Sequence, residues 1–331
     1  MTLNQREQWR GIPKGNLGSQ PSGYRTSSIT GEYGSPCALG TKTVALGSAL
    51  TLFRDGAGQA PLVTLGAGLA GSFAYRIKYS RRPDKWSIQA RLGWQASFMQ
   101  KKLSGDYFIY SDQLNPYYGL ISDPTQLGVS SGGFFNHNAG VMLRFSKGSF
   151  TNLTGGFSVS NLFSPNQSLY DRMGDTFLLP RRLSLHAGGN FPIIKGLFLT
   201  PQGRWDRQAN GQLNFFTFGA YLQNHKFYGG LFYSTSTRHF SAENSISNSA
   251  SRGVPSLNAS FGVDIYEYWP GLDRLKKGQR LILGLSYDGS LKNLNLGNTR
   301  GGLEVNFRLN FFDAAKNSCE SSIDTRRCPV L

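Results

Sequence analysis

The sequence predicts an all-β protein, a transmembrane antiparallel β-barrel of about 14 strands. Three observations lead to this class: long segments with two-residue alternation, a composition rich in Gly and aromatic residues, and connections that alternate between long and short. Of the 331 residues, 41 are Gly, 13% are aromatic and only 16% are charged. Disordered chains show the opposite balance. No run of about 18 uncharged apolar residues is present that could form a transmembrane helix.

Alternation of apolar with small or polar residues is clearest in residues 65–79, 86–98 and 303–311. Successive side chains of a strand point to opposite faces, so each segment has one apolar face. A large soluble β-protein is the alternative, but strands in such proteins average about five or six residues. A transmembrane barrel strand crosses the bilayer with about 9–11 residues, its apolar side chains outward and its polar ones toward the lumen. The length of these segments favours the barrel.

The alternating segments and the turn signals between them predict fourteen strands in order. They span residues 1–9, 21–33, 40–53, 63–79, 85–100, 134–146, 151–163, 180–191, 197–205, 212–222, 227–236, 256–267, 279–288 and 299–312. Bacterial outer-membrane barrels have an even number of strands. The predicted organisation is therefore a barrel domain over 1–312, followed by a tail at 313–331 that an even strand count leaves in the periplasm.

The lengths of the connections predict the orientation. The connections 10–20, 54–62, 101–133, 164–179, 206–211, 237–255 and 289–298 are mostly long, and 34–39, 80–84, 147–150, 192–196, 223–226 and 268–278 are mostly short. Long extracellular loops and short periplasmic turns are usual in this class. An aromatic girdle is expected at the periplasmic end, formed by Tyr79, Trp86, Tyr268, Trp269, Phe311 and Phe312. We expect loops 101–133 and 237–255 to carry partner recognition.

The net charge of +16 is dispersed over turns, loops and the polar faces of strands. No basic helix or RNA-binding signature accompanies it, so nucleic-acid binding is not indicated. A cationic rim would meet anionic lipid head groups or an acidic partner. Alternation also directs charged side chains inward, where ion pairs would plug a narrow lumen. This candidate lumen charge network consists of Arg76, Arg91, Arg144, Arg182, Arg308, Asp264, Asp288 and Glu304.

Motifs for catalysis and ligand binding do not meet their structural requirements. Residues 66–71 have G-x-G-x-x-G spacing but lie inside a predicted strand with no helix after it. Close packing of small residues in a barrel wall explains them better. His186 shares lumen parity with Ser184, which raises the idea of a barrel hydrolase, but no nucleophile motif supports it. We therefore predict a non-enzymatic protein with no catalytic residues, no cofactor and no metal site.

The three cysteines, Cys37, Cys319 and Cys328, are too few for a disulfide framework. Cys319 and Cys328 are a candidate tail disulfide in an oxidising compartment, and free thiols are equally compatible with the sequence. Residues 1–11 contain no apolar signal-peptide region. We therefore expect that the targeting segment of an exported form is missing from this N-terminus.

Six short segments, in order and with similar spacing, resemble the PorP/SprF family of Bacteroidetes outer-membrane proteins. They are residues 6–9 (REQW), 50–58 (LTLFRDGAG), 156–163 (GFSVSNLF), 179–181 (LPR), 284–288 (GLSYD) and 328–329 (CP). The resemblance spans essentially the whole chain. It implies an integral outer-membrane barrel of the type IX secretion and gliding machinery.

The same resemblance implies partners and a role. Barrels of this family support export or surface anchoring of a partner protein, often a large adhesin with a C-terminal sorting domain. The implied partners are outer-membrane lipid, this cargo, and other type IX secretion components on the periplasmic side. Without the resemblance, the residues leave open a passive or hydrophobic-solute outer-membrane transporter.

Overall fold

The structure is a computed structural model of the chain. It describes residues 2–10, 24–35, 43–57, 62–78, 86–105, 114–115, 119–120, 127–147, 151–169, 177–194, 196–209, 213–224, 226–238, 251–252, 255–265, 279–290 and 301–311. The predicted tail 313–331, all three cysteines, His225 and His239 lie outside these residues. So do Tyr79, Tyr268, Trp269 and Phe312 of the predicted girdle.

Nearly all of the described residues lie in strands, which we label β1–β17 in chain order. The strands are β1 (Thr2–Arg10), β2 (Tyr24–Ser35), β3 (Val44–Ala57), β4 (Leu62–Lys78), β5 (Trp86–Gly105), β6 (Leu114–Asn115), β7 (Gly119–Leu120), β8 (Leu127–Lys147), β9 (Thr151–Ser160), β10 (Arg182–Ile194), β11 (Leu197–Gln208), β12 (Leu213–Gln223), β13 (Phe227–Arg238), β14 (Ser251–Arg252), β15 (Ser256–Asp264), β16 (Gln279–Ser290) and β17 (Gly302–Phe311). No described helix is long and apolar enough to cross a membrane.

Fourteen of these strands close into an antiparallel barrel, which confirms the predicted fold class. Each long strand pairs with its neighbours in the chain, β5 pairs with β8, and β13 pairs with β15. The first strand closes the barrel against the last: Thr2 pairs with Asn310 and Arg10 with Gly302. The short strands β6 and β7 form a separate two-stranded sheet, and β14 extends the edge of β13.

The barrel is apolar outside and polar inside, as alternation predicts. Outward side chains such as Leu69, Phe135 and Leu231 are about two-thirds exposed, at 65%, 66% and 61%. The least exposed polar residues, Asn190 and Thr200, are each 2% exposed on the inner side, and Thr200 donates a hydrogen bond to Asn190. An outer surface of this kind is stable against lipid hydrocarbon rather than water.

Two predicted connections are shorter than expected. Loop 101–133 is wrong at both ends, because β5 continues to Gly105 and β8 begins at Leu127. Connection 54–62 is reduced to residues 58–61, so it is not one of the long loops. The cause is the same in both cases. Alternation marks where one face meets lipid, whereas backbone hydrogen bonds continue a strand beyond that point with polar residues such as Lys101 and Ser131.

The barrel has two ends, which we call the turn end and the loop end. The turn end carries the connections between β2 and β3, β4 and β5, and β8 and β9, and in the predicted orientation it is periplasmic. At the loop end the β5–β8 hairpin is the tallest part of the wall, with strands of 20 and 21 residues. The neighbouring strand β9 reaches only Ser160, and its ladder with β8 begins at Ala139. One hairpin therefore projects beyond its neighbour.

Candidate functional site

All eight residues of the candidate lumen charge network lie on the lumen side of their strands. Each shares strand parity with buried residues of the inner face. Arg76 and Asp264 are 6% and 4% exposed, and the other six are partly buried: Arg91, Arg144, Arg182, Arg308, Asp288 and Glu304. Their inward direction follows from strand register and does not depend on what these side chains contact.

Two members of this network contact residues outside it. Glu304 forms an ion pair with Arg6, at 2.6 Å between Nη2 and Oε2, and Arg6 was not among the predicted residues. The Nε of Arg308 donates to Asn310 at 3.3 Å. The Nε atoms of Arg91, Arg144 and Arg182 are buried without a hydrogen-bond partner. The sequence of β1 carries no signal for Arg6, because Gln5 and Glu7 make the opposite face of the strand polar as well.

Ser184 and His186 lie next to each other on the lumen face of β10, but they do not form a nucleophile and base. The Ser184 hydroxyl donates to the carboxylate of Asp206, which also pairs with Arg204 at 2.9 Å. A serine nucleophile needs its hydroxyl on the base instead. The imidazole of His186 lies against Gly156, where an added Cβ would come within 2.5 Å of the ring. Among the described residues, no group of His, Cys, Asp and Glu could hold a metal ion.

Several lumen rings occupy the space beside glycines of neighbouring strands. A Cβ on Gly262 would be 2.1 Å from the ring of Tyr228, and one on Gly284 would be 2.4 Å from its hydroxyl. Tyr221 covers Gly230 in the same way. The rings also contact each other, with the Tyr221 and Tyr228 centroids 5.7 Å apart. Because glycine has no side chain, a ring can lie along the wall instead of crossing the lumen.

Asn161 organises the loop end of the wall at the point where β9 stops. It has a left-handed backbone, with φ of 57°, which Asn tolerates better than most residues. Its buried side chain accepts a hydrogen bond from Asn136 and donates one to the Pro180 carbonyl, both at 2.9 Å. Its backbone N–H donates to Asn138 at 3.1 Å. One side chain thus ties β8 to both ends of the segment between β9 and β10.

The segment that follows Asn161 contacts both faces of the β5–β8 hairpin. Phe163 meets the outer face, and residues 167–168 reach the inner face. Lys101 of β5 donates to Gln167, and a Cβ on Gly132 of β8 would lie 2.8 Å from the Ser168 carbonyl. Asn166 holds the returning chain, because its side-chain oxygen accepts from the N–H groups of Ser168 and Phe177 at 3.0 and 3.1 Å. We call the described residues 161–169 and 177–181 the mouth segment.

His137 lies on the outer face of the barrel. It is inside β8, where its ring stacks on Trp94 at 5.6 Å between centroids and meets Phe163 edge-on at 5.3 Å. Phe98 and Phe135 form a second aromatic contact on the same two strands, at 5.2 Å. These rings add to the exposed apolar surface on the outside of the hairpin.

Comparison with known proteins identifies the family. The family described as "Type IX secretion system membrane protein PorP/SprF" matches residues 1–309. The chain belongs to this family. It is an integral outer-membrane protein, as its sequence predicts. None of the curated proteins matches it.

The PorP/SprF chain is similar in fold to solved outer-membrane channels. A deletion mutant titled "TodX monoaromatic hydrocarbon channel deltaS2 mutant" has a TM-score of 0.50 and 10% identity, with 94% of this chain and 89% of that chain covered. A FadL homologue from Pseudomonas aeruginosa has a TM-score of 0.46 and 11% identity, with 94% and 89% covered. The toluene transporter TodX from Pseudomonas putida has a TM-score of 0.45 and 9% identity, with 94% and 88% covered. At these identities the likeness concerns the fold alone.

Three of the six segments that resemble the PorP/SprF family, 156–163, 179–181 and 284–288, lie at the sites described above. Segment 156–163 contains Gly156, on which His186 rests, and Asn161, which bonds to Pro180 of segment 179–181. Segment 284–288 begins with Gly284 under Tyr228. The resemblance thus falls on wall glycines and on the anchor of the mouth segment. No structural role could be assigned to these residues from the sequence alone.

Proposed function

We propose that this PorP/SprF barrel is a non-enzymatic component of the type IX secretion machinery that supports export or surface anchoring of a partner protein. The family match over residues 1–309 is the observation that carries the proposal. The partner class is a secreted protein such as an adhesin with a C-terminal sorting domain, and gliding motility would depend on such a cargo. Other secretion components would meet the barrel from the periplasm.

The loop end supports this role because it offers a fixed surface. The β5–β8 hairpin rises beyond β9, and the mouth segment is held against its inner face by Asn161 and by the Lys101–Gln167 contact. A preformed surface loses less conformational entropy on binding than a mobile loop does. We expect cargo to contact the mouth segment and the predicted loop 237–255, most of which lies outside the described residues.

Purification of the tagged full-length barrel from its own cells tests this function. We expect one secreted protein with a sorting domain to copurify. Deletion of 240–252 and the substitution Asn166→Ala should each lower the recovered cargo, since the first removes loop surface and the second releases the mouth segment. Thr30→Val is the matched control, because the Thr30–Thr51 contact of 3.3 Å lies in the wall away from the mouth. Unchanged recovery in both variants would remove these surfaces from the proposal.

The alternative, passive transport of a solute, gives a different result in planar bilayers. A transporter with a water-filled path would show a steady open conductance from the purified barrel. An accessory barrel would not need one. Copurified cargo without conductance supports the proposed function, and conductance without any sorting-domain cargo contradicts it.

A further inference from the structure

One edge of β8 has no neighbouring strand above the end of β9. The ladder between β8 and β9 covers only residues 139–147 of β8, whereas β5 pairs with β8 well beyond them. Among the residues that the structure describes, the last backbone hydrogen bond at this edge runs from the Leu162 N–H to the His137 carbonyl, at 2.9 Å. Of the described strands only β5 pairs with residues 131–136, and we call their other side the open edge.

The backbone groups on the open edge belong to every second residue. In an antiparallel strand the N–H and C=O of one residue point to the same side, and successive residues alternate. Because the carbonyl of His137 points to the β9 side, the groups of Phe135, Gly133 and Ser131 do so as well. Gly133 is exposed although a Cβ on it would lie 2.9 Å from the Phe98 ring. Since a glycine can expose only backbone atoms, its edge-facing groups are accessible.

The open edge stands beyond the lipid at the loop end. On the outer face of the hairpin, Phe98 and Phe135 are apolar and are 45% and 66% exposed. The next outward residue of β8 is Gly133, followed by Ser131 opposite Lys102. The apolar outer surface therefore ends on the turn-end side of Gly133. Open backbone groups are very unfavourable in hydrocarbon, whereas in water they remain available to a partner.

The mouth segment begins a ladder on this edge and then leaves it. Asn161 and Ser164 have left-handed backbones, with φ of 57° and 45°. The Ser164 N–H donates to the Asn161 carbonyl at 2.9 Å, which closes a turn. Residues 167–168 then reach the inner face of the hairpin. The described part of the mouth segment therefore does not continue the β9 ladder beside Gly133.

We propose that the open edge binds an extended segment of the secreted partner, which adds a strand to the wall where β9 stops. This inference rests on the proposed function, because it takes the cargo as the partner. Backbone groups at ladder spacing are complementary to an extended chain, and addition of a strand to a sheet edge is a recurrent mode of peptide recognition. Proteins usually protect such edges with proline, charge or a bulge. Residues 131–136 (SGGFFN) contain neither proline nor charge.

The flanks of the open edge specify the chemistry of the bound segment. β5 and β8 contain no Asp or Glu, and Lys101 and Lys102 lie on opposite faces of the hairpin. An acidic segment is therefore a better match than a basic one. Its outward side chain beside Phe135 would be apolar, because neighbours across a ladder pack against each other. Beyond that point, Gly133 and Ser131 are small and leave room for large side chains.

A second copy of this chain cannot use the edge in the antiparallel way that β8 pairs with its own neighbours. In every copy β8 runs from the loop end to the turn end. Antiparallel pairing of two β8 strands would therefore place one of the barrels upside down in the membrane. A segment of a secreted protein has no such restriction.

Proline substitutions at the open edge test the proposal. Ser131→Pro and Gly133→Pro each remove one N–H that faces away from β5, so the β5 ladder keeps its hydrogen bonds. Ser131→Ala and Gly133→Ala are the matched controls, and Gly133→Ala makes the same approach to Phe98 while it keeps the N–H. From tagged full-length barrel in its own cells, we expect each proline variant to recover about tenfold less sorting-domain cargo than its control, because a cargo carbonyl loses its donor. Heat-modifiable migration on gels verifies that each variant is folded.

Hydrogen exchange of the purified barrel, followed residue by residue by NMR, gives a measurement that needs no cargo. We expect the amides of Ser131, Gly133 and Phe135 to exchange fast. Those of Gly132 and Phe134 should exchange slowly, because their N–H groups point to β5. Slow exchange at all five would refute the proposal, since the chain itself would then occupy the edge.

The cargo measurement separates this inference from the proposed function. Equal recovery by the proline variants and their alanine controls would overturn the inference and leave the proposed function standing. A wild type that recovers no sorting-domain cargo would contradict the proposed function itself. A wild-type dimer that the proline variants dissociate would also count against the inference, because a second copy would then be the occupant.

Discussion

Two parts of the barrel wall use lumen-facing glycines in opposite ways. In β2–β5 and β8, small residues are aligned directly across the strands; this small-residue row is Gly34, Gly47, Ser72, Gly93 and Gly140. In β12–β16, glycines lie under rings of neighbouring strands; this ring-covered wall consists of Tyr221, Tyr228 and Phe232 over Gly230, Gly262, Gly284 and Gly219. Glycine therefore leaves one part of the wall thin, and in the other part it makes room for an aromatic ring of a neighbouring strand.

The difference shows that glycine content alone does not reveal what a glycine does in a barrel. In the ring-covered wall, glycine is required because another side chain occupies its space. In the small-residue row no ring covers the glycines. A Cβ on Gly93 would meet nothing closer than 3.9 Å, and those on Gly47 and Gly140 would meet the small side chains of Ser72 and Ser158 at 2.6 and 3.0 Å. On the outer side of the same strands, the cross-strand partners Ser48 and Gly71 are small as well. Substitutions in β17 test the assignment of lumen and lipid faces, and substitutions at Gly262 and Gly93 test the ring-covered wall and the small-residue row.

The largest effect is expected from reversing the faces of β17. Phe307→Arg places a charge in the lipid-facing band and should lower the free energy of unfolding by about 2–4 kcal/mol. Asn306→Arg, one residue away on the lumen face, should cost much less because its guanidinium remains among polar groups. Urea unfolding of barrels refolded in lipid vesicles measures both values. Similar losses for the two variants would show that lumen and lipid faces are misassigned, and the comparison of the walls would lose its basis.

Faces and strand order were predictable because each follows from a local signal. Alternation in residues 86–98 and 303–311 fixed which side chains point outward, and Leu92 and Leu303 are 56% and 47% exposed. The G-x-G-x-x-G of residues 66–71 lies within β4, as expected, with Gly66 under the ring of Phe53. The height of the β5–β8 hairpin was not predictable in this way, since polar strands leave no alternation of hydrophobicity.

An intermediate effect is expected at Gly262 in the ring-covered wall. Gly262→Ala puts a Cβ where the Tyr228 ring lies, and overpacking of this kind costs about 1–3 kcal/mol. Tyr228→Ala should remove most of that cost, because the nearest atoms to the new Cβ all belong to Tyr228. A double-mutant cycle in the same unfolding assay would give a coupling of about 0.5–3 kcal/mol. Additive losses would mean that the ring does not rest on this glycine.

The candidate site was harder to predict because its contacts join distant residues of the chain. Tyr228 covers Gly284, and Arg6 pairs with Glu304, 298 residues away. Such contacts require the register of β1 against β17 and of β13 against β15, which no single segment contains. Asn161 was missed for a different reason. The alternation predicted a strand through residue 163, whereas β9 ends at Ser160 and Asn161 takes a left-handed backbone.

The smallest effect is expected at Gly93 in the small-residue row, and its sign should be opposite. Glycine in a strand interior is less favourable than alanine by about 0.5–1 kcal/mol, because it loses more conformational freedom on folding. Gly93 does not have a left-handed backbone, and its Cβ would stay at ordinary contact distance from the Gly71 carbonyl. Gly93→Ala should therefore leave the free energy of unfolding unchanged or raise it by up to about 1 kcal/mol. A loss as large as that of Gly262→Ala would mean that something occupies the lumen beside the row, and the two walls would then be packed alike.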